Sequence, residues 1–190
     1  MNAIYLKYAN IPDFPEYPLI PIAQDYVDHF DSILKSGKNW LGFFGKSGSG
    51  KSTQAFEVAK ALILRKNPVR CRCFWYPDVL HELSTRRFDT EEYDSKLEQF
   101  LDAELVVIDD FLDVIPRPDT FEEQVALTLI KRRYAQRKPL IFTTEARSRY
   151  IYEKMKSHAD ALIGRIVEMC AGRCSVADEN APNYRLEKMI

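Results

Sequence analysis

Apolar residues recur along this chain in two rhythms. Short unbroken runs alternate with longer stretches in which apolar positions fall three or four residues apart. The apolar runs at 40–44 and 105–108 predict buried strands, and strands are also predicted at 69–75, 139–143 and 173–177, where polar residues interrupt. The stretches at 22–36, 51–66, 77–83, 91–101, 120–136, 149–156 and 159–170 predict helices. In the first of these, Ile22, Tyr26, Val27, Phe30, Ile33 and Leu34 keep helical spacing, and Gly37 supplies a stop. Residues 1–21 differ, because Pro12, Pro15, Pro18 and Pro21 predict an extended arm ahead of a domain over 22–190. Strands alternating with helices at this spacing predict a three-layer α/β/α domain around a central parallel sheet.

Composition narrows the function classes. With 190 residues, 46% hydrophobic and 29% charged, the chain is sized for one buried core and unlike a disordered segment. Its apolar runs are too short to cross a bilayer, and the start MNAIYLKYAN lacks a signal-peptide pattern. The expectation is a cytoplasmic protein with no membrane contact. A net charge of −1 leaves any nucleic-acid binding to a local patch. Cys71/Cys73 and Cys170/Cys174 have gaps of one and three residues with no histidine beside them, which does not suit a zinc set. Cys71 and Cys73 instead fit one face of a strand as small buried residues.

The first chemical signal lies between the strand at 40–44 and the helix after it. Gly45, Lys46, Ser47, Gly48, Ser49, Gly50, Lys51, Ser52 and Thr53 contain the pattern G-x-x-x-x-G-K-[ST]. The glycines let the backbone curl so that successive N–H groups point inward and cradle phosphates. Lys51 is placed for the β- and γ-phosphates of ATP, and the Ser52 hydroxyl for Mg²⁺. The helix that starts there adds the positive end of its dipole.

Two further stretches complete a nucleotide site. Leu105, Val106, Val107 and Ile108 run into Asp109 and Asp110, and carboxylates at the end of a buried strand are costly unless they meet a cation. Asp109 is the candidate for holding Mg²⁺ through water, and Asp110 for polarising the attacking water. In Ile141-Phe142-Thr143-Thr144-Glu145, polar side chains end another strand, where the ligand crevice of a parallel sheet lies. Thr143 or Thr144 is placed to position water or sense the γ-phosphate, with Thr144 the candidate carried forward. A helix N-cap explains a threonine there equally well.

With these elements in order, the sequence resembles the DnaC/DnaI/IstB branch of the AAA+ ATPases, the bacterial helicase loaders and their relatives. The likeness rests on Ala9-Asn10-Ile11-Pro12, the P-loop, Val106 to Asp110, Arg133-Tyr134, the helix Ala161 to Cys170 and the tail Asn183-Tyr184-Arg185-Leu186. The tail is typical of loader-like proteins from phages and mobile elements. The resemblance implies a P-loop AAA+ core without a C-terminal helical lid and ATP hydrolysis that is slow until subunits assemble. It also implies self-association through the ATP site and Arg165 as an arginine finger. A replicative helicase is the implied partner. The family's sensor strand usually ends Thr-Ser-Asn, where this chain has Thr143-Thr144-Glu145. Loaders generally carry a separate helicase-binding domain, and only a short arm precedes the core here.

The resemblance also places single-stranded DNA contacts between the second and third strands, where Arg86, Arg87 and Phe88 combine a basic pair with a stacking ring. The acidic stretch 89–104 opposes a phosphate backbone. Lys131, Arg132, Arg133, Arg137 and Lys138 form a second basic cluster, which reads as a solvated helix face. Alternatives are an IstB-type transposition helper, a P-loop small-molecule kinase, and a non-catalytic module switched by ATP.

Overall fold

The computed structural model describes residues 17–114 and 116–177, apart from the side chain of Ser157. Most of the proline arm and the 9–12 and 183–186 motifs lie outside the described residues. The elements in order are α1 (Pro21–Asp28), α2 (Phe30–Ser36), β1 (Trp40–Phe44), α3 (Lys51–Leu64), β2 (Cys71–Trp75), α4 (Tyr76–Ser84) and α5 (Thr90–Leu101). They continue with β3 (Leu105–Asp109), α6 (Phe121–Ala135), β4 (Leu140–Thr144), α7 (Ser148–Met155), α8 (Ser157–Cys170) and β5 (Cys174–Val176). The five strands form one sheet in the order β2-β3-β4-β1-β5, every pairing parallel. This is the expected three-layer α/β/α arrangement.

Alternation along the strands divides the core in two. Leu41, Phe43, Leu105, Val107 and Ile141 face α1, α2 and α3. Trp40, Val106, Ile108, Leu140 and Phe142 face the layer of α4 to α8. Gly42 is required in β1, because a Cβ there would lie 2.7 Å from the Phe142 ring and 2.8 Å from that of Phe44. Cys71 is buried and Cys73 partly so, their sulfurs 4.0 Å apart on one face of β2.

Two sequence expectations are corrected. The single helix over 22–36 is two helices, broken at His29 (φ −108°, ψ 15°) and closed by Gly37 in the left-handed region at φ 68°. Tyr26 and Phe30, on either side of the break, are both buried, and their rings meet edge-on at 5.6 Å. The second correction concerns the basic cluster. Arg133 is fully buried and donates to the carbonyls of Leu101 (3.2 Å), Ala103 (2.9 Å), Glu104 (3.1 Å) and Pro139. It ties the turn before β3 to the start of β4, and burial pushes its guanidinium down to about 10. Arg133 continues the buried stripe of Val125, Ala126, Leu129 and Ile130 at helical spacing, while its basic neighbours Lys131 and Arg132 point elsewhere.

Candidate nucleotide-binding site

Strand order decides what meets at the top of the sheet. β4 lies between β1 and β3, so the P-loop, the paired aspartates and the threonine strand open side by side at the carboxyl ends. Gly45 leaves β1 with its N–H bonded to the Thr144 carbonyl at 3.2 Å. A Cβ on Gly45 would come within 2.7 Å of Ala177, so the close approach demands glycine. Gly48 (φ 78°) and Gly50 (φ 86°) take the left-handed turns that curl the loop into the start of α3. Lys46 and Ser47 lie on the exposed crest of this loop, and the buried Ser49 hydroxyl has no partner.

Lys51 is buried and folds back over the loop, its Nζ donating to the Lys46 carbonyl at 3.0 Å. Its second contact is Glu145, 3.5 Å away across the mouth of the site. The first turn of α3 sets Ser52 beside Asp109, where it helps hold the carboxyl down. The Thr143 hydroxyl donates to Asp109 Oδ1 at 2.6 Å and accepts the Asp110 N–H at 2.9 Å. Ser52, Asp109 and Thr143 thus converge from three different elements, with Thr53 one residue further along α3.

Thr144 behaves differently from the sequence expectation. Its hydroxyl accepts the Ala146 N–H at 3.0 Å and closes the turn after β4, so the threonine that meets the carboxylate is Thr143. Asp110 sits at φ 56°, and its Oδ2 accepts the Trp75 indole N–H at 2.8 Å. Trp75 was not singled out in the sequence, and Glu145 only as the polar end of its strand, because their partners Asp110 and Lys51 lie far along the chain.

The electrostatics are those of a crowded acidic pocket. Burial raises the Asp109 carboxyl above its ordinary value, and Asp110 adds to this, while Thr143, Ser52 and Lys51 pull it back. Asp113 is pushed up to about 6, chiefly by burial, with Asp110 and Glu145 reinforcing the shift and the Glu145 N–H opposing it. The Ser52 hydroxyl and Asp109 carboxylate are the hard oxygen donors Mg²⁺ prefers, and the local carboxylate excess favours a cation. The residues present therefore fit the metal.

Asp113 has a pH consequence. Its folded pKa exceeds the unfolded one, so the folded state holds the extra proton and stability falls as pH rises from about 4 to about 6. Asp113→Asn keeps the acceptor for Glu145 and removes that slope. Solvent reaches the carboxylate, so screening trims the gain to about 1 kcal/mol, or about 2–4 °C in melting temperature above pH 6. Equal melting curves at pH 7 would contradict this.

A second consequence concerns Glu145. A triphosphate must displace it from Lys51, so Glu145→Gln is expected to tighten ATP binding about two- to fivefold, the range for a partly exposed ion pair. Fluorescence titration with a labelled ATP analogue measures this. Unchanged or weaker affinity would show that the pair does not compete.

The other predicted residues lie outside the pocket. Arg165, on α8, donates to the Ala161 carbonyl at 2.5 Å and stands 5.6 Å from the centre of the Tyr134 ring. Tyr134 is in the last turn of α6, which leads toward the start of β4. Arg165 is therefore held toward the amino ends of the strands, away from its own chain's P-loop. In the turn from α4 to α5, Arg86 is engaged by Glu82 at 2.9 Å, and Arg87 lies 4.5 Å over the ring of Phe88, which is 88% exposed. No helix among the described residues is long and apolar enough to cross a membrane.

The parallel five-stranded sheet with helices on both faces and a glycine-rich loop after β1 is the P-loop fold class expected from the sequence. Within that class the chain shares the fold of helicase loaders. It superposes on DnaI with a TM-score of 0.66 at 19% identity, covering 97% of this chain and 94% of that one. On the DnaC helicase loader the TM-score is 0.64 at 19% identity, covering 85% and 94%. A DnaA replication initiator bound to AMPPCP and single-stranded DNA matches with a TM-score of 0.60 at 13% identity, over 99% of this chain and 55% of that one. In sequence, the chain is 25% identical over 169 residues to the phage-like element PBSX protein XkdC of Bacillus subtilis (strain 168), covering 86% of this chain. It spans 60% of that relative's length. No family model matches the sequence.

Proposed function

We propose that this chain binds and hydrolyses ATP and acts in DNA replication as a helicase loader or a loader-like accessory. The observation that carries the reading is the convergence of Ser52, Asp109 and Thr143 beside Lys51 on a sheet shared with DnaC and DnaI. The loop N–H groups from Gly45 to Thr53 cradle the phosphates, and Lys51 exchanges Glu145 for the β- and γ-phosphates. Ser52, and Asp109 through water, would hold Mg²⁺, which would supply positive charge against the phosphoryl oxygens. Thr143 orients Asp109, and Asp110, steadied by Trp75, faces the attacking water. Arg165 reaches a neighbouring subunit's site, which makes hydrolysis depend on assembly through the ATP site. The partner is a replicative helicase. Single-stranded DNA meets Arg87 and Phe88, with Arg86 held in reserve by Glu82.

The test is size-exclusion chromatography with light scattering on a mixture with the host's replicative helicase, ATP and Mg²⁺. The reading expects a species heavier than the helicase alone, lost or altered with Lys51→Ala. No co-elution with or without nucleotide would contradict the loader role, and duplex-DNA-dependent assembly in its place would favour a transposition helper.

A further inference from the structure

The start of α6 and the start of α8 bring together Asp119, Glu123 and His158, outside the nucleotide site. Each offers one ligand atom, and these atoms lie within 4.8 Å of one another. Glu123 is the centre of the group. Its side chain is only 2% exposed, yet Oε1 has no hydrogen-bond partner. Oε2 accepts the Asp119 N–H at 2.8 Å and stands 3.0 Å from His158 Nδ1. That last approach lacks hydrogen-bond geometry, and the Nδ1 atom is itself buried and unsatisfied.

A buried carboxylate with one oxygen unsatisfied, beside an imidazole nitrogen that is also buried and unsatisfied, is a costly arrangement. A cation between them removes both costs. The geometry points to a divalent transition-metal site, which we assign to Zn²⁺, with His158 Nδ1 and the carboxylates of Glu123 and Asp119 as ligands and water completing the shell. Zinc takes nitrogen and carboxylate oxygen at about 2.0–2.2 Å, which sets ligand atoms roughly 3–3.5 Å apart. The Glu123–His158 pair already stands at that separation. Asp119 is exposed, and its left-handed backbone at φ 63° places it at the mouth of the group, free to close the remaining distance. Imidazole selects zinc over magnesium, so this site and the Ser52–Asp109 pair take different ions. Bound metal clips the segment that follows the paired aspartates to the helix that carries Arg165.

The experiment uses the full chain, stripped with chelator and dialysed without nucleotide against ZnCl₂, followed by elemental analysis and thermal melting. Cobalt substitution distinguishes this site from the four cysteines by its absorbance, since thiolate ligands add an intense near-ultraviolet band. The expected result is one zinc per chain, a raised melting temperature, and a cobalt spectrum of nitrogen and oxygen ligands. His158→Gln and the exposed Asp119→Asn are each expected to weaken zinc at least about tenfold, the loss typical of ligand-level changes. Substoichiometric zinc, equal binding by both variants, or a thiolate spectrum would overturn the site. A melting temperature lowered by His158→Gln but indifferent to zinc would overturn it too, leaving a plain Glu123–His158 ion pair.

Discussion

Arg133→Met is expected to destabilise the protein by about 3–5 kcal/mol, the scale for breaking a buried charged network. The methionine fills the volume but strands the Ala103 and Glu104 carbonyls and loses the bonds to Leu101 and Pro139. Removing a desolvated guanidinium recovers part of that loss, which keeps the figure from being larger. Arg133→Lys helps little, because one ammonium cannot span carbonyls that a planar fork reaches together. In a domain of this size the melting temperature should fall by roughly 6–20 °C. Thermal unfolding of the wild type beside both variants measures it. Neighbouring Lys131→Met, on an exposed position, should change almost nothing. A loss below about 1 kcal/mol for Arg133→Met would mean the carbonyls find other partners.

Arg165→Ala is expected to lower ATP turnover in the assembled state by about 10³-fold or more, the scale of an arginine finger. Its side chain rests on the α6–α8 surface beside Tyr134 and Arg137, away from its own P-loop. ATP affinity of isolated chains should therefore be untouched, which separates a role in trans from simple misfolding. Mixing Arg165→Ala with Lys51→Ala should restore part of the activity, because some interfaces then combine an intact finger with an intact P-loop. Unchanged turnover in the assembled variant would remove the role.

Strands such as β1 and β3 were legible because each is a compact apolar run, and the β1 expectation coincides with the observed Trp40–Phe44. The P-loop was legible for the same local reason, since its glycines and Lys51 act within one continuous stretch. What escaped was set by contacts between distant segments. No glycine or proline marks the break at His29, so the apolar spacing across 22–36 reads as one helix. Arg133 sits in sequence beside Lys131 and Arg132, but it falls on the Leu129–Ile130 face of α6, where buried carbonyls take its charge. Thr143 and Thr144 are chemically identical, so which one meets Asp109 depends on the pleat of β4 against β3. Trp75 and Glu145 acquire their roles only once the strand order sets their ends around Lys51 and Asp110.

The most direct test of the central claim is isothermal titration of ATP with Mg²⁺ into the isolated chain, with Lys51→Ala and Asp109→Asn in parallel. The account predicts saturable binding of one nucleotide per chain, lost with Lys51→Ala and made insensitive to Mg²⁺ with Asp109→Asn. Absence of binding by the wild type at millimolar ATP, or equal binding by Lys51→Ala, would contradict it.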